Sequence, residues 1–504
     1  MPTVAAVVAV LCAVTPGKAG AAGASGPGPG PGPSPYAFAE GAETVAGAAS
    51  NVEGHRLSPG KTYKSALPRA GQRFYRLELK AEDSAYVSVT AVPDPGTKVS
   101  YADGVEVSIQ DADGNNCSPM EAEEARIGSS ESPRPITATA VRRVGPGEKS
   151  CARAGTYYVL VERARASGTA QRLAQRFDQD DQDDQDDQDD WDLEIHVASE
   201  PVLRADGATV PPETWNSAAP VLPSGERRTR EGGTSFGTAR GLDNGVWGAD
   251  VEPGQTLFYR VPLDWGQQVS VAAELGSTGG GAIGGGTGST GRGVGRGAGY
   301  VSSALVMTLS NPVRAEVDDA DTAYDGKQKT AVLEPLPPVA YENRFALTDE
   351  VSAMRFAGWY YLSVHLSPEV AEKFGEAPLE LTLRVDVEGS PRPGPSYAGS
   401  SVPADDFGVT ERDTEAAERG EVAGGDGAAA EDAQDAEGKD NGLMAVVAAG
   451  GIGAGVVLLA ILGVWTLIAR RRQAAAVAAA SASASGTSAP GASAPARFGP
   501  PQGW

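Results

Sequence analysis

Ala154-Gly155-Thr156-Tyr157-Tyr158-Val159-Leu160-Val161 recurs later in the chain as Ala357-Gly358-Trp359-Tyr360-Tyr361-Leu362-Ser363-Val364. Each is a short run of aromatic and β-branched residues behind an Ala-Gly turn, the composition of a strand rather than a helix. Upstream, Gly71-Gln72-Arg73-Phe74-Tyr75-Arg76-Leu77 is echoed by Gly254-Gln255-Thr256-Leu257-Phe258-Tyr259-Arg260-Val261, with one extra residue in the second copy. Between them, Val105-Glu106-Val107-Ser108-Ile109-Gln110-Asp111 matches Leu305-Val306-Met307-Thr308-Leu309-Ser310-Asn311. Downstream, Leu193-Glu194-Ile195-His196-Val197 matches Leu379-Glu380-Leu381-Thr382-Leu383. The order is the same both times, which is the signature of an internal repeat.

The spacing locates what was inserted. The offset between copies is larger at Tyr157 and Tyr360 than at Phe74 and Phe258, and it falls back at Leu193 and Leu379. The second copy therefore gains length in its middle, and the first gains a similar length near its end. Both gains coincide with low-complexity tracts, a Gly/Ser/Thr/Arg tract at 276–299 and a Gln/Asp tract at 178–190. These read as loop insertions. Tyr86-Val87-Ser88-Val89-Thr90 and Gln268-Val269-Ser270-Val271-Ala272 approach the two-residue period of half-buried strands, and no sustained helical period occurs in either repeat. Many short strands without helices predict a mainly β chain with two tandem, jelly-roll-like β-sandwich domains.

The Gly-Gln-x-Phe-Tyr-Arg segment, the strand ending at Asp111-x-x-Gly114 and the Ala-Gly-x-Tyr-Tyr segment together resemble the bacterial pre-peptidase C-terminal domain. The resemblance spans about 50–200 and 235–390. It implies β-sandwiches with accessory roles: adhesion, substrate binding or secretion. The peptidase that often accompanies such domains is absent, and the layout is similar to that of single-span secreted proteins of Streptomyces.

The ends place these domains. Val4 to Val14 is an apolar run before Ala22-Gly23-Ala24, the pattern of a secretory signal peptide over 1–24, although no Lys or Arg precedes the run. Leu443 to Ala469 is uncharged and, at about 1.5 Å per residue, long enough to cross a bilayer of about 30 Å as a helix. Arg470, Arg471 and Arg472 follow it, so the positive-inside rule puts the tail in the cytoplasm and the domains outside. Gly451 and Gly455 have the Gly-x-x-x-Gly spacing of a transmembrane dimer contact. The expected order is a signal peptide (1–24), a Gly/Pro-rich leader (25–48), sandwich one (49–203), a linker (204–233) and sandwich two (234–389). An acidic disordered stalk (390–442), the span (443–469) and a disordered tail (470–504) complete it. Of three cysteines, Cys12 leaves with the signal peptide, and Cys117 and Cys151 are expected to pair in an oxidising compartment.

Composition limits the function. With 42 Lys plus Arg against 66 Asp plus Glu, the net charge is -24, which argues against binding a phosphate backbone. Gly and Pro make up about a fifth of the chain, below the level of a wholly disordered protein. Catalytic candidates are sparse. The three histidines are His55, His196 and His365, and the other copy has Thr382 and Glu162 where His196 and His365 align. Gly233-Thr234-Ser235-Phe236-Gly237 matches Gly-x-Ser-x-Gly but lacks the flanking strand and helix of a nucleophile elbow, so it reads as a flexible loop. Ser58-Pro59-Gly60-Lys61 reads as a turn. Asp111-x-Asp113-Gly114 reads as a hairpin turn, with Ala122 where a calcium loop needs Glu. Asp318, Asp319, Asp321 and Asp325 read as an acidic loop in which weak calcium binding is the alternative to plain solvation. No cofactor, catalytic residue or metal site is expected. The sequence reading is a non-enzymatic binding or scaffold protein anchored in a bacterial cell membrane, with an envelope protein or cell-wall glycan as partner. An accessory subunit or degenerate relative of an envelope hydrolase, or a transmembrane sensor, are the alternatives.

Overall fold

The computed structural model describes residues 34–69, 71–117, 123–144, 151–164, 190–205, 207–212, 214–278, 299–404 and 407–423. The expected signal peptide, the span with Gly451 and Gly455, Arg470 to Arg472, and most of both low-complexity tracts lie outside these residues. Among the described residues no helix is long and apolar enough to cross a membrane.

The first repeat supplies β1 (Glu43–Thr44), β2 (His55–Leu57), β3 (Thr62–Leu67), β4 (Gln72–Leu79) and β5 (Asp83–Val92). It continues with β6 (Gly104–Gln110), β7 (Glu124–Arg126), β8 (Ile136–Arg142), β9 (Gly155–Ala164) and β10 (Trp191–Pro201). They form two five-stranded sheets, ordered β1-β3-β10-β5-β8 and β2-β4-β9-β6-β7. The second repeat supplies β11 (Arg227–Thr229), β12 (Arg240–Gly241), β13 (Gly245–Val251), β14 (Thr256–Leu263) and β15 (Gln268–Leu275). Then come β16 (Val301–Ser310), β17 (Glu316–Tyr324), β18 (Lys329–Val332), β19 (Gly358–Leu366) and β20 (Leu379–Glu388). Its sheets are ordered β11-β13-β20-β15-β18 and β12-β14-β19-β16-β17. Adding ten to each strand number of the first repeat reproduces the second, down to the parallel pairs at the edges.

Period-two burial explains the layers. In β4, Tyr75, Leu77 and Leu79 point inward, and in β14 Leu257, Tyr259, Val261 and Leu263 do the same. Each sandwich closes on its own apolar cluster, with Val89, Ile109, Val159 and Ile195 in the first and Val271, Met307, Leu362 and Leu381 in the second. Cys117 and Cys151 are disulfide-bonded, tying the connection after β6 to that before β9.

Several expectations need correction. The segment 390–442 reads in sequence as a disordered stalk, but residues up to 423 pack on both sandwiches. Val402 bridges Ser199, Tyr397 bridges Leu203, and Val422 bridges Arg240. Phe407 is buried, and the helix Glu411–Arg419 is capped by Thr410 and Asp413. An acidic composition did not prevent order because Phe407, Ala416 and Ala417 are buried and backbone bridges hold the rest to the strands. Part of the expected leader is also ordered, with Val45 in the first core. The Gly-x-Ser-x-Gly segment is a tight 3-10 turn, Phe236–Thr238, with Ser235 fully buried and bonded to Thr238. Asp318, Asp319 and Asp321 lie on strand β17, not in a loop. The extra length of the second repeat is not the Gly-rich tract alone. The β18–β19 connection (333–357) is about twice as long as its β8–β9 counterpart (143–154).

Candidate binding site beside the joint of the sandwiches

The outward face of β5, β8 and β10 meets the outward face of β14, β16 and β19. Alternation puts Tyr86, Ser88, Glu194, Ala198 and Glu200 on the first face, and they are covered rather than solvated. An apolar patch of Tyr86, Val141, Ala198, Val313, Phe356 and Phe407 joins the two repeats and the C-terminal segment.

Two buried ion pairs cross this joint. Arg344 grips Glu200 through both terminal guanidinium nitrogens, at 2.8 and 3.1 Å, and Tyr86 and Tyr397 donate hydroxyls to the same carboxylate at 2.7 and 2.8 Å. Burial pushes the Glu200 carboxyl up, but Arg344 and the hydroxyl donors outweigh it and hold it below the usual carboxylate range. Arg314 donates to Glu194 at 2.6 Å, and the Tyr36 hydroxyl and Ala39 amide donate at 3.2 and 2.9 Å. Both carboxylates are thus multiply hydrogen-bonded, the condition under which a buried pair can be held.

The histidines fall in different places. His55 is half-exposed, 3.8 Å from Glu43. His196 accepts or donates at Thr62 through Nδ1, and desolvation, with Arg314 adding to it, holds its pKa well below the ordinary value. His365 lies between Ser132 Oγ (2.6 Å from Nε2) and Thr256 Oγ1 (2.9 Å from Nδ1). Burial first, then Arg134, pushes its pKa down to about 3. A Ser–His pair at this distance has the spacing of an activated nucleophile. However, Ser132 is 1% and His365 2% exposed, and the third group is a neutral hydroxyl. The adjoining cavity is about 50 Å³, room for a few waters. The pair spans from the first repeat to the second and serves as a strut.

The other candidates are structural too. Asp111 accepts from the amides of Asp113 and Asn115 in a turn where Gly114 takes φ +83°. Asp325 pairs with Lys329, and Asp318 accepts from the Glu334 amide. Burial, with neighbouring carboxylates adding to it, raises the pKa of Asp318 and Asp319. Among the described residues, no group of three or more His, Cys, Asp or Glu side chains could hold a metal ion.

A larger cavity, about 570 Å³, lies between the segment after β10, the turn between β14 and β15, the long β18–β19 connection and the chain after β20. Its size is that of a small-molecule pocket. Trp215, Trp265 and Tyr341 line it, with Arg204, Arg392 and Glu342. Its wall continues into the joint, because Arg344 stacks at 3.5 Å on Tyr341 and Tyr397 packs edge-on against that ring. The turn carrying Trp265 is pinned by hydrogen bonds of the Gly266 amide to Val339 and of the Arg392 amide to Trp265. Sequence reading did not single out these residues. They lie in connections and terminal segments, where the comparison of the copies offers no matched partner.

No protein-family model matches the chain, and no curated protein matches it. Solved structures that align with it include the N-terminal CBM22-1–CBM22-2 tandem domain of Paenibacillus barcinonensis Xyn10C, 9% identical over 65% of this chain and 92% of that one, with a TM-score of 0.16. Others are the M60 catalytic domain with CBM51-1 and CBM51-2 of Clostridium perfringens ZmpB and the CUB1-EGF-CUB2 domain of human MASP-1/3. The first is 11% identical over 65% of this chain and 34% of that one, with a TM-score of 0.14. The second is 10% identical over 64% and 99%, with a TM-score of 0.13. Likenesses at this level carry no argument about function.

Proposed function

We propose that this is a non-enzymatic binding protein of the cell surface, two jelly-roll-like sandwiches joined face to face with a ligand cavity beside the joint. The observation that carries the reading is the 570 Å³ cavity lined by Trp215, Trp265 and Tyr341, large enough for a ligand where the Ser132–His365 pair has no such room. Anchoring by residues 443–469, with the domains outside, is supported by the apolar run and the arginines after it. The resemblance to pre-peptidase C-terminal domains fits an accessory binding role. One observation favours a second reading, a degenerate relative of a hydrolase: the Ser132–His365 contact itself.

In-cell photocrosslinking tests the reading. A photoreactive residue placed at Thr214, in the cavity wall, should yield a reproducible adduct. The same residue at Leu347, which is 93% exposed and does not line the cavity, should not. Equal labelling at both positions, or none at Thr214, would remove the cavity as the functional site.

A further inference from the structure

The geometry points to an anionic saccharide, a sugar carrying a carboxylate, as the class of ligand that the cavity takes. This rests on the reading of the cavity as a ligand site and adds the ligand's chemistry. The wall supplies the half-exposed indole of Trp215 and the ring of Tyr341, one face of which Arg344 covers, for the C–H face of a pyranose ring to stack on, while Trp265, 7% exposed, lines the wall from the second core. It also supplies donors that nothing else uses. The Trp215 indole N–H has no hydrogen-bond partner among the described residues, and the Arg392 guanidinium has no ion pair or side-chain hydrogen bond there. Arg204 spends only its Nε, on the Tyr397 carbonyl at 2.7 Å. Indole N–H and guanidinium groups donate and cannot accept, so the ligand must be rich in acceptor oxygens.

Charge narrows the class further. The chain as a whole carries -24. Here two arginines face one carboxylate, that of Glu342, which itself has no hydrogen bond or ion pair among the described residues. The cavity is therefore a local reversal of sign, and a guanidinium meets a carboxylate in a paired, planar geometry that a neutral sugar cannot offer. A ring with hydroxyls, an apolar face and one carboxylate answers all three features of the wall. Glu342 is placed to accept from a ring hydroxyl.

The test uses the full-length protein on an array of oligosaccharides containing uronic, sialic or N-acetylmuramic acid, each beside its neutral or esterified counterpart. Binding at least tenfold tighter to a carboxylated member than to its neutral counterpart is expected. Trp215→Ala should weaken that binding at least tenfold. Arg392→Gln should abolish the preference for the charged sugar, so that the carboxylated member and its neutral counterpart bind alike. Trp215 is half-exposed and lies outside any helix or strand, and an unchanged melting temperature in both variants shows that folding is intact. Equal affinity for charged and neutral sugars, or a preference that survives Arg392→Gln, overturns the proposal. Failure of every saccharide overturns it as well. If the Thr214 crosslink persists in that case, the cavity is a ligand site for another class. If the crosslink is also lost, the binding reading falls with it.

Discussion

His365 shows how burial sets the chemistry of a single residue. Its imidazole is held between two hydroxyls, from Ser132 of the first repeat and Thr256 of the second, in a site that disfavours the charged form. The folded protein keeps this ring neutral down to about pH 3, whereas the unfolded chain takes the proton near the ordinary value of 6.5. Stability from this group is therefore fully present above pH 6.5 and is lost as the pH falls toward 3. Between about pH 6.5 and about pH 4.5 the loss should be about 2 to 3 kcal/mol, at 1.36 kcal/mol per unit. Glu200, whose pKa is depressed, adds to the loss at lower pH, in the same direction. His365→Gln keeps a donor and an acceptor but does not titrate. Urea unfolding of both proteins across this range should show a flatter profile for the variant. His196 is desolvated as well and leaves a residual slope. Parallel profiles would mean that His365 can be protonated without opening the joint.

In the first sandwich the disulfide ties the connection after β6 to the connection before β9. Cys117 follows β6 and Cys151 precedes β9, with 34 residues of sequence separation. Closing a loop of that size restrains the unfolded chain by about 3 to 4 kcal/mol in the chain-entropy account. The double variant Cys117→Ser, Cys151→Ser should lower the unfolding free energy by about that much, read from the urea midpoint under oxidising conditions. A midpoint within error of the parent would show that native strain offsets the restraint. The strands and their duplication were legible because period-two patterning and turn residues are local signals. The cores followed, since Tyr75 and Tyr259 occupy matched positions inside their sandwiches. What could not be read was which outward faces are covered. Glu194, His196 and Ser88 sit on the polar side of an alternating strand, where solvent is the default, and it is the partner repeat together with the N-terminal segment of Tyr36 and Ala39 that covers this face. The order of 395–404 and 407–423 was missed for the same reason. Phe407 is one apolar residue in an acidic stretch, and its partners Tyr86 and Phe356 lie far upstream, one in each repeat. The cavity residues were missed because connections carry no period.

Two sandwiches with separate cores behave as one cooperative body only if the joint between them holds. The apolar patch around Phe356 is small compared with either core, so the joint depends on its ion pairs. Glu200 is 2% exposed and has four donors, two of them from Arg344. Removing the cation leaves a buried carboxylate without its counter-charge, which costs about 3 to 5 kcal/mol. Because that cost falls on the joint and on neither core, it should uncouple the repeats rather than unfold one of them. Calorimetry of the parent should show a single transition for the two sandwiches, and Arg344→Met should split it into two. Adding Glu200→Gln to Arg344→Met removes the stranded charge, so the double variant should be more stable than the single one, the mark of a coupled pair. Were Arg344→Met to melt in one step within about 1 kcal/mol of the parent, the joint would be held by its apolar patch instead. The wall of the larger cavity would then be independent of the pair, although Arg344 stacks on its Tyr341. Ligand affinity in the Arg344→Met protein separates these cases. A joint built on the pair loosens Tyr341 and weakens binding, and a joint built on the patch leaves it unchanged.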